Sequence, residues 1–292
     1  TRDPVYHPGM RMPLVVCLLL LAGCAPADPP TRCDQRLADG TCVGLTRGKL
    51  CDATYCTEGV TCPRTLYVRE GAAGDGSAGQ PLGALPQAAA RAGSGDCVAV
   101  AAGSYASATF GGGVRLLGTG AEATRITGTL RFAEGGGGLV RGVWLGGGGR
   151  ALVLDRVQGF ALSELLVEGA REVGVEARQV TDLSGDQITV AGTGPGTAGA
   201  FGIGILLANE SRAHLRAVAV EGSAAEGVVC SDSGLELDAS VVTGSGSYGV
   251  AIACSAKRCA GELGSRLSAS RLLDNTGVGL WVKAPLLSVV GT

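Results

Sequence analysis

The sequence predicts an all-β fold of the solenoid type, and three observations lead to this prediction. Glycine supplies 50 and proline 11 of the 292 residues, well above average usage, which disfavours a helical bundle. Apolar residues still make up 46% of the chain and charged residues only 17%, so we expect a packed core rather than disorder. The third observation is an internal repeat of about 22 residues, in which glycine turns separate short apolar strands.

The repeat becomes visible when four leucines are aligned. A glycine comes twelve residues after each leucine, an apolar Val or Leu comes five residues after it, and Gly or Asp comes seven residues after it. Such a unit is too short for a βαβ crossover and cannot bury its own apolar face, so successive units are expected to stack as coils about 4.8 Å apart. Weaker copies lie at residues 114–126 and 139–154, and an irregular coil is expected around residues 201–207. The aligned residues are Leu162, Leu215, Leu237 and Leu267, followed by Gly174, Gly227, Gly249 and Gly279.

The first 24 residues have the pattern of an export signal. Arg11 precedes an apolar stretch at residues 14–21, which is too short to span a membrane, and Leu21-Ala22-Gly23-Cys24 resembles a bacterial lipobox. The resemblance implies that Cys24 is lipidated. Because no methionine opens the sequence, we expect residues 1–9 to be a non-native extension, with translation starting at Met10 or Met12. An ordinary secretory signal is the alternative. We expect an exported protein of the bacterial cell envelope, in the periplasm, at the outer membrane or at the cell surface, held to the membrane by its lipid only.

Cysteine usage agrees with an oxidising compartment. Five cysteines within 30 residues predict that residues 25–65 form a tether and a small disulfide module, although a zinc site is the alternative. Because five is an odd number, Cys97 is a candidate sixth partner. Cys254 and Cys259 are candidates to close a small loop in an eight-residue insertion of the repeat, which leaves Cys230 as a buried free thiol. The five clustered cysteines are Cys33, Cys42, Cys51, Cys56 and Cys62.

Residues 67–105 carry the motifs of a known family. They include Tyr67-Val68-Arg69, the turn Gly74-Asp75-Gly76-Ser77, a helical stretch at residues 87–92, and Gly103-Ser104-Tyr105 after an apolar strand. This succession resembles the N-terminal cap and first coil of the pectin-lyase-like superfamily, and the resemblance extends over residues 66–292. It implies a right-handed parallel β-helix with a short N-terminal capping helix. Because no cap follows the last apolar strand, we expect a truncated C-terminus.

This fold carries many activities, so the residues themselves have to indicate the function. The formal net charge of −2 and the lack of long Lys/Arg runs disfavour nucleic acid as a partner. Hydrolase members of the family are recognised by Asn-Thr-Asp, Gly-His-Gly and Arg-Ile-Lys motifs, none of which occurs here, and His214 is the one histidine after the signal. We therefore expect a non-catalytic, cofactor-free protein that binds polysaccharide or cell-surface glycan, or serves as an adhesive or structural scaffold. Its oligomeric state is left open.

A Ca²⁺-assisted polysaccharide lyase is the competing hypothesis. Lyase members of the family combine an acidic calcium cluster with a basic residue, and calcium takes six to eight oxygen ligands. Glu168 and Glu221 share a column of the repeat, and Glu164 and Arg171 lie close to Glu168 in the sequence. The column continues as Thr and Leu, so the acidic ladder does not persist. Glu164, Glu168, Arg171 and Glu221 are the candidate catalytic residues, and no metal site is predicted outside this hypothesis.

The two tryptophans have different expected positions. Alternation from the inward Leu280 and Val282 places Trp281 on the outer face, with Lys283 two residues further on the same face. An exposed Trp beside a cation can stack on a sugar ring, which makes Trp281 and Lys283 candidate binding residues. A partly covered ring at the end of a coil is the alternative. Trp144 aligns with the inward Val167 column, so we expect it in the core.

Overall fold

The computed structural model describes residues 32–37, 40, 42–47, 51, 53–196, 201–254, 264–283 and 287–290. From Arg32 onward the chain forms one compact unit. The described residues contain one helix, which is far too short to cross a membrane. The first elements are β1 (Arg32–Arg36), β2 (Cys42–Arg47), β3 (Thr65–Val68), α1 (Leu85–Ala89), β4 (Cys97–Val100), β5 (Gly103–Gly111), β6 (Arg115–Leu117), β7 (Thr124–Gly136), β8 (Leu139–Gly146), β9 (Arg150–Gln158), β10 (Ala161–Glu168), β11 (Val173–Arg178) and β12 (Leu183–Ala191). The later elements are β13 (Ile203–Ala208), β14 (Arg212–Arg216), β15 (Ala219–Glu221), β16 (Val228–Ser231), β17 (Gly234–Asp238), β18 (Val241–Thr243), β19 (Val250–Ala253), β20 (Ser265–Ser268), β21 (Arg271–Leu273), β22 (Leu280–Lys283) and β23 (Leu287–Val290).

The strands from β3 onward wind into coils with three parallel faces, which we call sheets A, B and C. Each full coil passes through A, B and C in turn, and the longer strands of the early coils bend from one sheet into the next. Sheet A contains β3, β4, β6, β14, β17, β20, β23 and the first halves of β8, β10 and β12. Sheet B contains β15, β18, β21, the first halves of β5 and β7 and the second halves of β8, β10 and β12. Sheet C contains β9, β11, β13, β16, β19, β22 and the second halves of β5 and β7. The protein is thus a right-handed parallel β-helix, as the sequence predicts.

The register of the sheets confirms the repeat residue by residue. In sheet A, Leu162 pairs with Gly185 of the next coil, and Gly185 pairs with Leu215. The column continues through Leu237 to Leu267. Gly185 belongs to the irregular coil, which runs from Leu183 to Ala208 and is therefore longer than the predicted residues 201–207. The predicted early copies are the coils that contain β6 with β7 and β8 with β9.

Two columns of glycine in the repeat have different physical causes. Gly169, Gly192, Gly222 and Gly244 have φ between 60° and 66°, in the left-handed region, and Asp274 takes that conformation in the last copy. Gly227, in the second column, is instead required because a Cβ there would lie 2.3 Å from Cγ1 of Val242 in the next coil. The aligned glycines thus mark where the backbone turns and where neighbouring coils touch.

The corner between sheets A and B is a single residue in the left-handed region. Apart from Gly142, the residue types at this corner do not indicate that conformation, because left-handed φ values are uncommon outside glycine, Asn and Asp. The corner residues are Gly142, Glu164, Gln187, Ala217, Ala239 and Ala269.

The apolar core runs along the axis and is closed at its N-terminal end by α1. Leu85 and Ala88 of this helix are buried in the core beside β3 and β5. The family motif at the first coil is explained by Tyr105, whose hydroxyl donates to Ala101 O (3.0 Å) and accepts from Glu70 N (3.2 Å). Burial raises the pKa of Tyr105 to about 12. The motif therefore fixes the chain as it enters the first coil.

Several of the cysteines form disulfides. Cys51 is bonded to Cys56, and Cys62 is bonded to Cys97, the sixth partner expected from the odd count. Cys42 and Cys254 are disulfide-bonded as well. Cys230 is a buried free thiol, as predicted. The side chain of Cys33 and residues Cys24 and Cys259 lie outside the described part of the chain.

Candidate functional site

Sheet A is partly covered by the segment that precedes the first coil. We call residue 51 and residues 53–64 the strap. Nη2 of Arg141 donates to Glu58 O (2.9 Å) and Cys56 O (3.4 Å), and Nη1 of Arg115 donates to Thr61 O (2.5 Å). Both arginines point outward from sheet A, so the strap lies along the outer surface of its early coils.

Sheet B is covered in its middle coils by the hairpin β1–β2. Leu37 and Val43 form a small apolar cluster with three outward residues of the helix, Ala219, Ala239 and Val241. The amide of Gly44 also donates to the carbonyl of Ala217 (2.7 Å), and a Cβ on Gly44 would lie 2.7 Å from Thr189 Oγ1. Small residues on sheet B therefore let the hairpin backbone approach closely.

Sheet C is the face that these contacts leave open. The hydrogen bonds and apolar contacts of strap and hairpin described above reach sheets A and B only. Along sheet C the outward positions form two adjacent columns that run parallel to the helix axis. The first column reads Arg131, Val153, Glu176, Leu206, Val229, Ala251 and Trp281, and the second reads Ala133, Asp155, Arg178, Ala208, Ser231, Ala253 and Lys283.

The early coils of this face carry a network of ion pairs. Arg131 contacts Asp155 (2.6 Å), and the carboxylate of Glu176 lies between Arg150 (2.9 Å) and Arg178. The Glu176 side chain is completely buried although it points outward, because the arginine side chains lie over it. Arg131 and Arg178 remain 43% and 42% exposed, so guanidinium groups form the outer surface of this end.

The later coils of the same face are apolar and aromatic. Leu206, Val229 and Trp281 are half-buried, and small residues occupy the second column beside them. Trp281 stacks on Tyr248 of the preceding coil, with ring centroids 5.7 Å apart and planes inclined by 17°. The sequence analysis did not predict Tyr248 as a site residue, because the eight-residue insertion lies between Tyr248 and Trp281 and lengthens their separation in the sequence. The structure thus forms an aromatic pair at one end of an apolar strip.

The two predicted binding residues lie where alternation places them. Trp281 pairs with Ala251 and Lys283 pairs with Ala253, so both point outward on sheet C, and Lys283 is exposed. The structure brings them together with Tyr248 on a single face. Their role in binding stays a prediction.

The four candidate catalytic residues are spread over sheet B and its edges. Glu168 and Glu221 do share a column, but Ala191 of the irregular coil lies between them, so they are two coils apart. Arg171 is exposed in the turn from sheet B to sheet C. Glu164 is half-buried at the corner between sheets A and B, and desolvation raises the pKa of its carboxyl group, opposed by the charge of Arg141.

Trp144 corrects one prediction. It pairs with the outward Leu166, whereas the inward Val167 pairs with Leu145, so Trp144 lies on the outer face of sheet B and not in the core. The guanidinium of Arg125 covers its ring at 3.9 Å, and its Nε1 donates to Glu168 (3.0 Å). The ring is buried by these neighbours, which explains how an outward position can hold a tryptophan.

The lyase hypothesis implies a calcium ion, which needs several convergent oxygen ligands. Within the described ranges, no three His, Cys, Asp or Glu side chains are grouped closely enough to hold a metal ion. Glu164, Glu168 and Glu221 accordingly do not fit the several convergent oxygens that calcium requires.

The sequence matches no protein-family model and no curated protein. Among solved structures, the chain is similar to pectate lyase Pel9A, with a TM-score of 0.51 and 12% identity over 79% of this chain and 80% of that one. It is also similar to an alginate lyase from Paenibacillus sp. str. FPU-7, with a TM-score of 0.50 and 14% identity over 78% of this chain and 98% of that one. At such identities the similarity shows the fold.

Proposed function

We propose that this protein, which has the pectin-lyase-like parallel β-helix fold, is a non-catalytic polysaccharide-binding protein. Its binding face is the outer surface of sheet C. The observation that carries the proposal is the strip of Leu206, Val229, Ala251 and Trp281 with its stacked Tyr248. Outward positions of a solenoid are normally solvated, so a continuous apolar strip on the face that the described parts of strap and hairpin leave open indicates a surface for a partner.

The shape of this face suits a linear glycan. From Arg178 to Lys283 it extends over four inter-strand spacings, which is about 19 Å. Small side chains in the second column leave a shallow path beside the apolar strip, and the aromatic pair offers a surface for the C–H face of a sugar. The exposed guanidinium of Arg178 and the ammonium of Lys283 lie at the two ends and can bind anionic substituents.

Several features support the proposal that the protein is exported. The disulfides Cys51–Cys56 and Cys62–Cys97 are stable in an oxidising compartment. The signal-like N-terminus and the lipobox at Cys24 support anchoring by a lipid to the bacterial envelope. A protein held there would present its glycan-binding face as a surface receptor, an adhesin or a structural component.

Binding is tested with the folded protein and a panel of neutral and uronate polysaccharides in affinity electrophoresis and calorimetry. We expect Trp281→Ala to weaken binding about fivefold to tenfold, because stacking contacts of this kind contribute about 1–1.5 kcal/mol. Phe201→Ala is the matched control, since Phe201 is an exposed aromatic residue outside the two columns. Equal binding by the two variants would contradict the proposed face.

The alternative is a polysaccharide lyase, and the observation that favours it is the pair of lyases among the similar structures. The same panel is incubated with calcium and with chelator, and unsaturated uronate products are followed by ultraviolet absorbance. Product that disappears with chelator would establish the lyase, and its loss in Glu168→Gln would place the site on sheet B. Binding without product, in a protein shown to be folded, supports the non-catalytic function.

A further inference from the structure

Sheet B carries an outward tryptophan that lies flat on its early coils. A Cβ on Gly146 would lie 2.6 Å from Cη2 and 2.7 Å from Cζ2 of Trp144, so the indole rests on a position that has no side chain. Ala121 and Leu166 pack against the same ring, and the three residues form an apolar cluster separate from the core of the helix. The ring is therefore held in one position on the outer face.

Two opposite charges contact different parts of this ring. The guanidinium of Arg125 lies over the ring face, with Cζ 3.9 Å from the centroid. The carboxylate of Glu168 lies at the ring edge, where it accepts a hydrogen bond from Nε1 of Trp144 (3.0 Å). Among the residues that the structure describes, the guanidinium of Arg125 has no hydrogen bond or ion pair, and the second carboxylate oxygen of Glu168 has none either. Each group thus keeps its charge available for a ligand.

The indole keeps these two charges from pairing with each other. Arg125 and Glu168 lie two coils apart on sheet B, and Trp144 occupies the coil between them. On sheet C, by contrast, Arg131 and Arg178 reach carboxylates directly and form ion pairs. Arg125 and Glu168 are both exposed, and the hairpin residues that contact sheet B lie against its middle coils, so both charges are open to solvent.

We propose that Arg125, Trp144 and Glu168 form a binding site for a small zwitterion of the α-amino-acid type on the outer face of sheet B. The ligand carboxylate accepts hydrogen bonds from the free N–H groups of Arg125, and the ligand ammonium donates to Glu168. The ammonium and carboxylate groups of an α-amino acid are attached to the same carbon, so one small molecule bridges the two charges that the indole separates. The site lies on another sheet than the proposed glycan-binding face and does not depend on it.

The arrangement selects for a ligand that carries both charges. A simple anion at Arg125 would also meet the negative charge of Glu168, and a simple cation at Glu168 would meet the positive charge of Arg125. Each would leave one charged group of the site without a partner, whereas a zwitterion satisfies both groups at once. Two exposed charge-assisted contacts give a small ligand only modest affinity, so we expect a dissociation constant of about 1 mM.

The test follows the indole N–H signals by NMR while L-alanine is added to the protein. The chain contains two tryptophans, so one signal reports on sheet B and the other on sheet C, and Trp144→Phe assigns them. We expect a saturable shift of the Trp144 signal, because the carboxylate that accepts from its Nε1 also binds the ammonium. The Trp281 signal should stay in place. No shift at Trp144, or equal shifts of both signals, would overturn the proposal.

Two blocked forms of the ligand separate the two charges in the unaltered protein. N-acetyl-L-alanine lacks the ammonium group, and L-alaninamide lacks the carboxylate. We expect each to bind about tenfold more weakly than L-alanine, because one charged group of the site then loses its partner. If N-acetyl-L-alanine bound as tightly as L-alanine, the site would be a plain anion site at Arg125, and equal binding of L-alaninamide would mean a plain cation site at Glu168. Either result would contradict the zwitterion site.

Two variants assign each preference to its residue. Arg125→Met keeps an unbranched side chain over the indole, and we expect it to remove the preference for L-alanine over L-alaninamide. Glu168→Gln keeps an acceptor for Nε1 and should remove the preference for L-alanine over N-acetyl-L-alanine. Arg216→Met is the matched control, since it removes an exposed arginine of sheet A, and it should keep both preferences. Preferences that survive in both site variants would place the binding elsewhere and overturn the proposal.

Discussion

The first coils and the later coils of the helix are stabilised in different ways. In the first coils a stack of phenylalanines fills the core, with Phe110 and Phe160 on either side of Phe132, and long-range clamps such as Arg64–Asp96 fasten the N-terminal segment. In the later coils the core residues are smaller, and the same contact recurs from coil to coil, as between Gly227 and Val242. The comparison shows that large aromatic side chains and long-range clamps are added at the start of the solenoid, whereas its continuation depends on close approach of neighbouring coils repeated at the same column.

The largest expected effect is in the first coils. Phe132→Ala removes the central ring of the stack and should lower the free energy of unfolding by about 4 kcal/mol, because a large cavity is left in a fully buried position. Urea denaturation followed by circular dichroism measures the change. Phe201→Ala, at an exposed position, serves as control and should change stability by less than about 0.5 kcal/mol. A similar small effect for Phe132→Ala would mean that the stack does not hold the first coils.

A smaller but more local effect is expected in the later coils. Gly227→Ala would place a Cβ 2.3 Å from Val242 Cγ1 and 2.7 Å from Gly249 O, so the coils must separate. Overpacking of this kind costs about 2–3 kcal/mol. Gly111→Ala is the matched control, since a Cβ there meets nothing within 4 Å. If both variants denature at the same urea concentration as the parent, the repeated glycine is not required for the close approach of the coils.

The clamp at the first coil should respond to pH. The hydrogen bond from Arg64 holds the pKa of Asp96 below its usual value, with a further contribution from the amide of Gly93. A carboxyl group with a lowered pKa stabilises the folded state above its unfolded pKa of about 3.9, and this contribution is lost as the pH falls through the folded pKa. Asp96→Asn should accordingly lower the Tm at pH 7.

The same variant offers its own control. As the pH is lowered below about 4, the Tm of the parent should approach that of Asp96→Asn, because both then carry an uncharged side chain at this position. Calorimetric scans across this range measure the difference. A gap that stays constant with pH would show that the clamp acts through packing and not through its charge.

The repeated part of the fold could be predicted because the same residue types recur at a fixed spacing in the sequence. The glycines at Gly174, Gly227 and Gly249 are dictated by steric contact with the adjacent coil, so their spacing directly reports the coil length. Inward and outward positions on β22 followed from alternation, which placed Trp281 and Lys283 correctly on the outer face.

The candidate site and the N-terminal segment could be predicted only in part. The left-handed corner at Glu164 shifts the inward and outward pattern, yet glutamate gives no signal for this conformation. The Trp144 prediction was wrong because the alignment was set one residue off in the early, irregular coils. The contact between Arg141 and Glu58 joins residues far apart in the chain, and no local pattern reports such a contact. Tyr248 was missed for a similar reason, since its stacking partner is 33 positions later.

The glycine column also determines which duplications and insertions in the gene would keep the coils of the protein packed. Three successive coils each contribute a glycine and the valine that packs against the glycine of the coil before, as in Gly204 with Val220 and Gly227 with Val242, whereas Asn275 takes the place of the valine at Gly249. A tandem duplication of one coil would therefore supply a matched pair at each new junction, without any compensating substitution. An insertion of part of a coil would break the pairing unless it fell between two strands, as the eight-residue insertion in the sequence repeat does. Length variation among descendants of this gene should consequently occur in whole coils or in loops.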